Sequence, residues 1–226
     1  MKKLIFASKD NPWSNYLFDR LSCDNSRWTY VKNNDELYSL DLGAVSRIFF
    51  FHWSDIVSSK IYENCECVVV HTANLPEGKG GSPLQNQIVD GIVQTNVNLL
   101  EMTHEIDGGN VYCSSKITLQ GNLYDVWMSI ATITYELIVD CIELRITPQK
   151  QLPTTTHPYK RRTDNTLPLN NVNIYDVYRF IQMLDAPGYP DANLNLEKYS
   201  LHFSRAKMID GQEILCDVKI KRRNIK

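Results

Sequence analysis

The chain has 226 residues, 43% of them hydrophobic and 22% charged, ordinary values for a folded protein with its own core. A net charge of −2 and an isoelectric point near 6.2 argue against the broad basic field of a nucleic-acid binder. The two basic runs, Lys160-Arg161-Arg162 and Lys219 to Lys226, are short and read as solvated surface.

From the amino terminus, Leu4–Ser8 reads as a first strand. Its apolar run is too short for a signal-peptide core or a membrane span, so a cytoplasmic protein is expected. Pro12 to Leu21 opens with proline and carries Trp13, Leu17 and Leu21 at helical spacing. Trp28–Val31 is a second strand, Asp35–Leu40 a short helix, and Arg47–His52 an apolar strand. Ile56–Tyr62 can be helical. Cys67–His71 is β-branched and apolar throughout, the pattern of a strand buried on both faces. The Cys65-x-Cys67 pair lacks a second pair or a suitably spaced histidine, so no zinc site is expected, and the six scattered cysteines read as reduced, small hydrophobic residues.

A glycine-rich loop leads to a helix from Pro83 to Asp90 with Ser82 as its cap. Asn96–Met102 and Val111–Leu119 are strands on either side of an Asp107-Gly108-Gly109-Asn110 turn. Leu123, Val126, Trp127, Ile130, Ile133, Leu137, Ile138 and Cys141 share one face of a long helix. Pro148 to Pro168 is polar, proline-punctuated loop. Tyr175–Leu184 is a short helix, and two strands meet at Asp210-Gly211, the second alternating Ile214, Cys216, Val218 and Ile220 with polar residues.

The βαβα alternation predicts an α/β fold, a Rossmann-like and mostly parallel sheet with helices on both faces, followed by a small helix and β-hairpin extension. A core over residues 1–147 and an extension over 148–226 follow from the change in composition. No GxGxxG follows the first strand, which argues against a dinucleotide cofactor. Ligands of such sheets bind beyond the carboxyl ends of the strands. His52 and His71 both end apolar strands there. A His71–Asp107 pair at that edge suits acyl transfer: the histidine carries a proton or donates to a developing oxyanion, and the aspartate orients it.

The stretch His71-x-x-x-Leu75-Pro76-x-x-Lys79-Gly80-Gly81-Ser82-Pro83 resembles the active-site loop of the 10-formyltetrahydrofolate-dependent formyltransferases. Thr95 to Gly108 resembles that family's second signature, in which a threonine begins a strand and an aspartate-glycine turn closes it. The resemblance implies a formyl donor of the folate type, with His71 and Asp107 catalytic. It implies Phe51, His52, Leu75, Gly81 and Ile106 on the folate side, and Lys79, Gln85, Arg161 and Arg162 on the acceptor side. One departure stands out. The family's asparagine two residues before the histidine is Val69 here, and valine cannot donate to an oxyanion. Asn74 and His52 are the candidates to replace it, Asn74 the favoured one.

Phe51-His52-Trp53-Ser54, Gly80 to Asn86, Tyr159 to Arg162 and Leu184 to Pro190 look like the branch acting on nucleotide-linked amino-deoxysugars of surface polysaccharides. The length leaves no room for an added tRNA-binding barrel. No nucleic-acid or membrane partner is expected, and the alternating hairpin face predicts a homodimer. The alternatives are a glycinamide ribonucleotide transformylase and, because of Val69, a homologue that binds folate or sugar nucleotide without turnover.

Overall fold

The computed structural model describes residues 2–23 and 27–223; the end of the Lys219 to Lys226 run lies outside the described residues. In chain order the elements begin β1 (Lys3–Ala7), α1 (Pro12–Cys23), β2 (Trp28–Val31), α2 (Asn34–Tyr38), β3 (Val45–Phe50), α3 (Ser59–Tyr62) and β4 (Glu66–Thr72). There follow α4 (Pro83–Val89), β5 (Gln94–Glu101), β6 (Val111–Thr118), α5 (Leu123–Glu143), α6 (Ile174–Gln182), β7 (Ala192–Asn195), β8 (Tyr199–Ile209) and β9 (Glu213–Arg222). By contact density the chain forms two compact units. One comprises Met1–Gly80, Thr95–Ile117 and Met128–Pro158, the other Gly81–Gln94, Thr118–Trp127 and Tyr159–Lys226.

The first unit is built on a six-stranded sheet ordered β2-β1-β3-β4-β5-β6. β1 is parallel to β2 and β3, and β3 to β4, whereas β5 runs antiparallel to β4. Parallel neighbours require crossovers, and the short helices α1 to α3 lie on them. α1 begins where the Asn11 side chain accepts from the Ser14 N–H at 2.8 Å, and its stripe Trp13, Leu17 and Leu21 is buried. Phe6, Phe49, Phe50 and Phe51 are each at most 1% exposed, and truncating any one to alanine costs about 3–5 kcal/mol. Because β1, β3 and β4 are parallel, Ala7, Phe50 and Thr72 bring the segments after them to one sheet edge.

The second unit contains α4, α6 and a three-stranded antiparallel sheet ordered β7-β8-β9. α6 opens on a reciprocal capping box between Asn173 and Asp176. Gln182 at its end donates to the carbonyls of Leu119 and Gly121 at 2.7 Å each. β8 changes register between Ser204 and Lys207, where Arg205 takes a φ of +51°, and a bulge of this kind bends the strand. Among the described residues β9 pairs with β8 alone, and Leu215, Val218 and Ile220 on it are 67%, 47% and 66% exposed.

The predicted α/β architecture is the one found, with four corrections of detail. The hairpin gains a third strand, β7, which the sequence conceals in only four residues. The helix expected over Ile56–Tyr62 is limited to Ser59–Tyr62, capped by Ser58. His52 lies beyond β3 rather than at its end, at a φ of +46°. Ser82 does not cap α4 through its side chain: it sits in the left-handed region, and its hydroxyl accepts from the Arg162 N–H at 3.1 Å. No helix among the described residues is long and apolar enough to cross a membrane.

Candidate active site

The end of β4 is fixed by its antiparallel neighbour. Asn98 on β5 faces His71 in register and is 2% exposed. Its amide donates to the carbonyls of His71 at 3.1 Å and Ala73 at 2.8 Å, and its carbonyl accepts from the Ser114 hydroxyl at 2.7 Å. A buried asparagine with its hydrogen bonds made holds the backbone where strand pairing stops.

That backbone carries His71, only 6% exposed. Its Nδ1 lies 3.3 Å from Asp107 Oδ1 and its Nε2 lies 3.1 Å from the Gly78 carbonyl. Both ring nitrogens thus face oxygen acceptors, an arrangement that suits a ring able to donate from either side. Asp107 Oδ2 accepts from the Gly80 N–H at 2.9 Å, so one carboxylate ties the turn, the histidine and the glycine loop together. Burial pushes the Asp107 carboxyl upward. The His71 ring, the Gly80 N–H and the Lys79 ammonium outweigh it and hold the group below the usual carboxylate range. Lys79 also pairs with Glu105 at 3.5 Å.

Asp107 stands at a φ of +53°, in the left-handed region. At Gly109 a Cβ would lie 1.8 Å from the Glu101 carbonyl, so only glycine fits. Gln151, a residue of the polar loop that no sequence signal singled out, secures this turn. Its Nε2 donates to the carbonyls of Asp107 at 2.8 Å and Gly109 at 2.7 Å. Its Oε1 is buried and meets no hydrogen-bond partner among the described residues.

A second polar group occupies the same edge beyond β1 and β3. Lys9 pairs with Asp55 at 2.5 Å, and its ammonium lies 5.0 Å from the centre of the Trp53 ring. Among the described residues, the buried Trp53 Nε1 and Asn34 Oδ1 meet no hydrogen-bond partner. Burial pushes the His52 imidazole down to about 4, so it is neutral at pH 7. The Asn11 amide nitrogen is 3.2 Å from His52 Nδ1, which makes Nδ1 the acceptor and leaves the proton on Nε2. The Trp13 ring stands edge-on to it at 5.5 Å.

Of the other residues singled out from the sequence, Asn74 is exposed, Leu75 is half-buried and Ile106 is 72% exposed. Phe51 is 1% exposed, packed beside Phe6, so its side chain belongs to the core and offers no ligand surface. In the second unit, Gly81 donates its N–H to the Tyr159 carbonyl at 2.8 Å, and a Cβ there would lie 2.7 Å from the Arg161 nitrogen. Asn86 locks this contact: its Nδ2 lies 3.0 Å from the carbonyls of Gly81, Ser82 and Lys160, and its Oδ1 accepts from Arg162 Nε at 2.7 Å. Arg162 is therefore engaged, whereas Arg161 is exposed. Gln85 is 7% exposed and meets the Tyr189 hydroxyl.

An open α/β sheet with a buried histidine–carboxylate pair at its carboxyl edge defines a protein equipped for proton-assisted group transfer. Residues 163–221 match the family described as methionyl-tRNA formyltransferase, C-terminal domain. A structure of methionyl-tRNA formyltransferase from Clostridium thermocellum is 32% identical, covers 99% of this chain and 100% of its own, and superposes with a TM-score of 0.92. The chain belongs to the formyltransferase family, whose members use 10-formyltetrahydrofolate. Methionyl-tRNA formyltransferase of Natranaerobius thermophilus is 30% identical over 44% of this chain, and the match spans only 34% of that protein. An N-formyltransferase from Helicobacter canadensis, solved with folinic acid and dTDP-3-aminofucose, shares the fold at 15% identity and a TM-score of 0.65, over 97% of this chain and 100% of its own.

Proposed function

We propose that the chain transfers a formyl group from 10-formyltetrahydrofolate to the amine of a nucleotide-linked amino-deoxysugar. The observation that carries the chemistry is the His71–Asp107 pair at 3.3 Å, buried at the sheet edge. The surroundings fit a reduced folate: Ile106, 72% exposed next to Asp107, offers apolar surface for a flat ring. The bound donor supplies an activated formyl carbon. His71 Nε2, released from the Gly78 carbonyl, donates to the oxygen on which negative charge develops, or hands its proton to the departing nitrogen. Asp107 holds the ring through Nδ1 and offsets its charge. Asn74 stands in for the asparagine missing at Val69. Asn74→Ala is then expected to lower turnover by about 10²–10³ with little change in substrate affinity, the usual effect of losing one oxyanion donor.

The acceptor assignment is supported by several features. The edge beyond β1 and β3 presents the half-exposed Lys9 ammonium, a cation suited to a phosphate. Arg161 is exposed and available to a pyrophosphate. The net charge of −2 lacks the basic field that tRNA binding uses. A second reading, methionyl-tRNA as the acceptor, is favoured by the match over residues 163–221 and by the similarity to the Clostridium thermocellum protein. Release of tetrahydrofolate and formation of the N-formyl product with dTDP- and UDP-linked amino-sugars, run beside methionyl-tRNA, separate the two. Turnover on the sugar nucleotides alone supports the proposal, turnover on tRNA alone replaces it, and donor binding without any turnover marks an inactive homologue. We further propose that the exposed apolar residues of β9 pair two copies of the chain into a dimer.

A further inference from the structure

A cavity of about 450 Å³ opens in the second unit, where the loop after α6 meets the bulge of β8, and the formyl-transfer reading leaves it without a use. Its size falls within the range of small-molecule sites. Tyr124, Asp185, Tyr189, Asp191, Phe203 and Arg205 line it. The loop belongs to the Leu184 to Pro190 stretch singled out from the sequence. Asp185 is held from two sides. Its carbonyl accepts from the Tyr124 N–H at 3.2 Å, and its Oδ2 accepts from the Arg205 N–H at 2.7 Å. Arg205, at its φ of +51°, thus gives Asp185 its backbone, while its guanidinium, 78% exposed, pairs with Asp217. Arg205 is the one lysine or arginine on the cavity wall, and its charge is engaged elsewhere. A second network fixes Asp191: its Oδ2 lies 3.5 Å from His202 Nδ1, and His202 Nε2 meets the Ser200 hydroxyl at 2.9 Å. Burial pushes the Asp185 carboxyl up; the Arg205 N–H and charge oppose this, and Asp125 and Asp191 add to it. The wall therefore joins two fixed carboxylates to three aromatic residues. An ammonium group suits both, through charge-assisted hydrogen bonds to the carboxylate and attraction to ring faces. Among the described residues no group of three or more His, Cys, Asp or Glu side chains can hold a metal ion, so the cation that fits here is organic.

We propose that this cavity is a second binding site, for a small molecule that carries a primary ammonium group. Asp185 holds the ammonium, Asp191 adds its field, and the body of the ligand rests against Tyr124, Tyr189 and Phe203. The same two carboxylates repel an anion, so the pyrophosphate of a sugar nucleotide is a poor occupant. Every lining residue belongs to the second unit, whereas His71 and Asp107 belong to the first. The cavity is complete without the catalytic pair, and it does not depend on which amine receives the formyl group.

The test is an amide NMR titration of the whole chain near neutral pH and at fixed ionic strength. The probes are benzylamine and D-glucosamine, and benzyl alcohol and D-glucose are their uncharged counterparts. The titration is repeated with Asp185→Asn, which keeps an oxygen for the Arg205 N–H, and with Asp210→Asn as a control in the β8–β9 turn, where a φ of +46° suits asparagine. The unfolding midpoints of both variants verify that the fold is kept. The expected result is that an amine shifts the Gly188 and Tyr189 amides while its uncharged counterpart does not. Binding should weaken about tenfold or more in Asp185→Asn and stay unchanged in Asp210→Asn. Tighter binding of benzylamine identifies an apolar amine as the ligand class, and tighter binding of glucosamine identifies an amino-sugar. Shifts of equal size with the uncharged counterparts, binding that survives Asp185→Asn at full strength, or no shift with either amine overturns the proposal. Shifts confined to the His71 to Gly80 loop also overturn it, by assigning the amine to the catalytic pair; that outcome leaves the formyl-transfer reading standing.

Discussion

At the scale of single residues, the site depends on how Asp107 is held. Its carboxylate serves His71 through one oxygen and the Gly80 N–H through the other, and its own carbonyl is held by Gln151. Asp107→Asn keeps the shape but removes the charge and can present an amide to the ring. Turnover is expected to fall by about 10²–10⁴, with donor binding measured by fluorescence largely kept. Because the folded carboxyl lies below its unfolded range near 3.9, Asp107 stabilises the fold above that pH. That contribution disappears as pH falls through the folded value, and the Asn variant is expected to lack this part of the acid transition. Gln151→Leu leaves the carbonyls of Asp107 and Gly109 without their donor. Each unmet buried acceptor costs about 1–3 kcal/mol, so the unfolding midpoint in urea is expected to drop. Turnover should fall with it, while Gln151→Asn, one methylene shorter, restores neither. A Leu variant with unchanged turnover would show that the turn holds Asp107 without help.

At the scale of elements, the hairpin of β8 and β9 raises the clearest question. Leu201 pairs with Ile220 and Phe203 with Val218, so these four side chains share one face. Val218 and Ile220 on it are 47% and 66% exposed, an arrangement that favours association. Replacing Ile220 with aspartate is expected to convert a dimer into a monomer in sedimentation equilibrium at micromolar concentration. The change should leave the unfolding of the first unit intact. Wild-type chain that sediments as a monomer over the same range refutes the pairing. Several elements were legible in the sequence: the Trp13, Leu17, Leu21 stripe became α1, and Trp28–Val31 became β2 with the bounds expected. β7 escaped because four residues, Ala-Asn-Leu-Asn, carry no alternation that distinguishes a strand from a loop. It exists only because β8 offers it a ladder from Ala192 to Asn195.

At the scale of the whole molecule, acid is expected to act through His52 before it acts on the carboxylates. The folded ring takes a proton only near pH 4, whereas the unfolded ring does so near 6.5. Above 6.5 both states are neutral and the residue is without effect on stability. Between 6.5 and 4 the unfolded state binds the extra proton, so stability falls with pH, by up to about 1.4 kcal/mol per unit. Denaturant unfolding measured from pH 7.5 to 4.5 is expected to show this slope, and His52→Gln to flatten it. An identical slope in the variant would assign the loss to other groups. The sequence by itself determined the α/β class, the strand on which His71 ends, the Asp-Gly-Gly turn and the glycine at 81, because apolar periodicity and glycine placement are local signals. The tertiary structure decided what those residues do. It put Asn98 across from His71, brought Gln151 back to the Asp107 turn, buried Phe51 in the core, and drew Arg162 onto Asn86. These depend on strand order and loop return, which unite residues distant along the chain, and a buried hydrogen bond leaves no mark on the sequence until its partner is known.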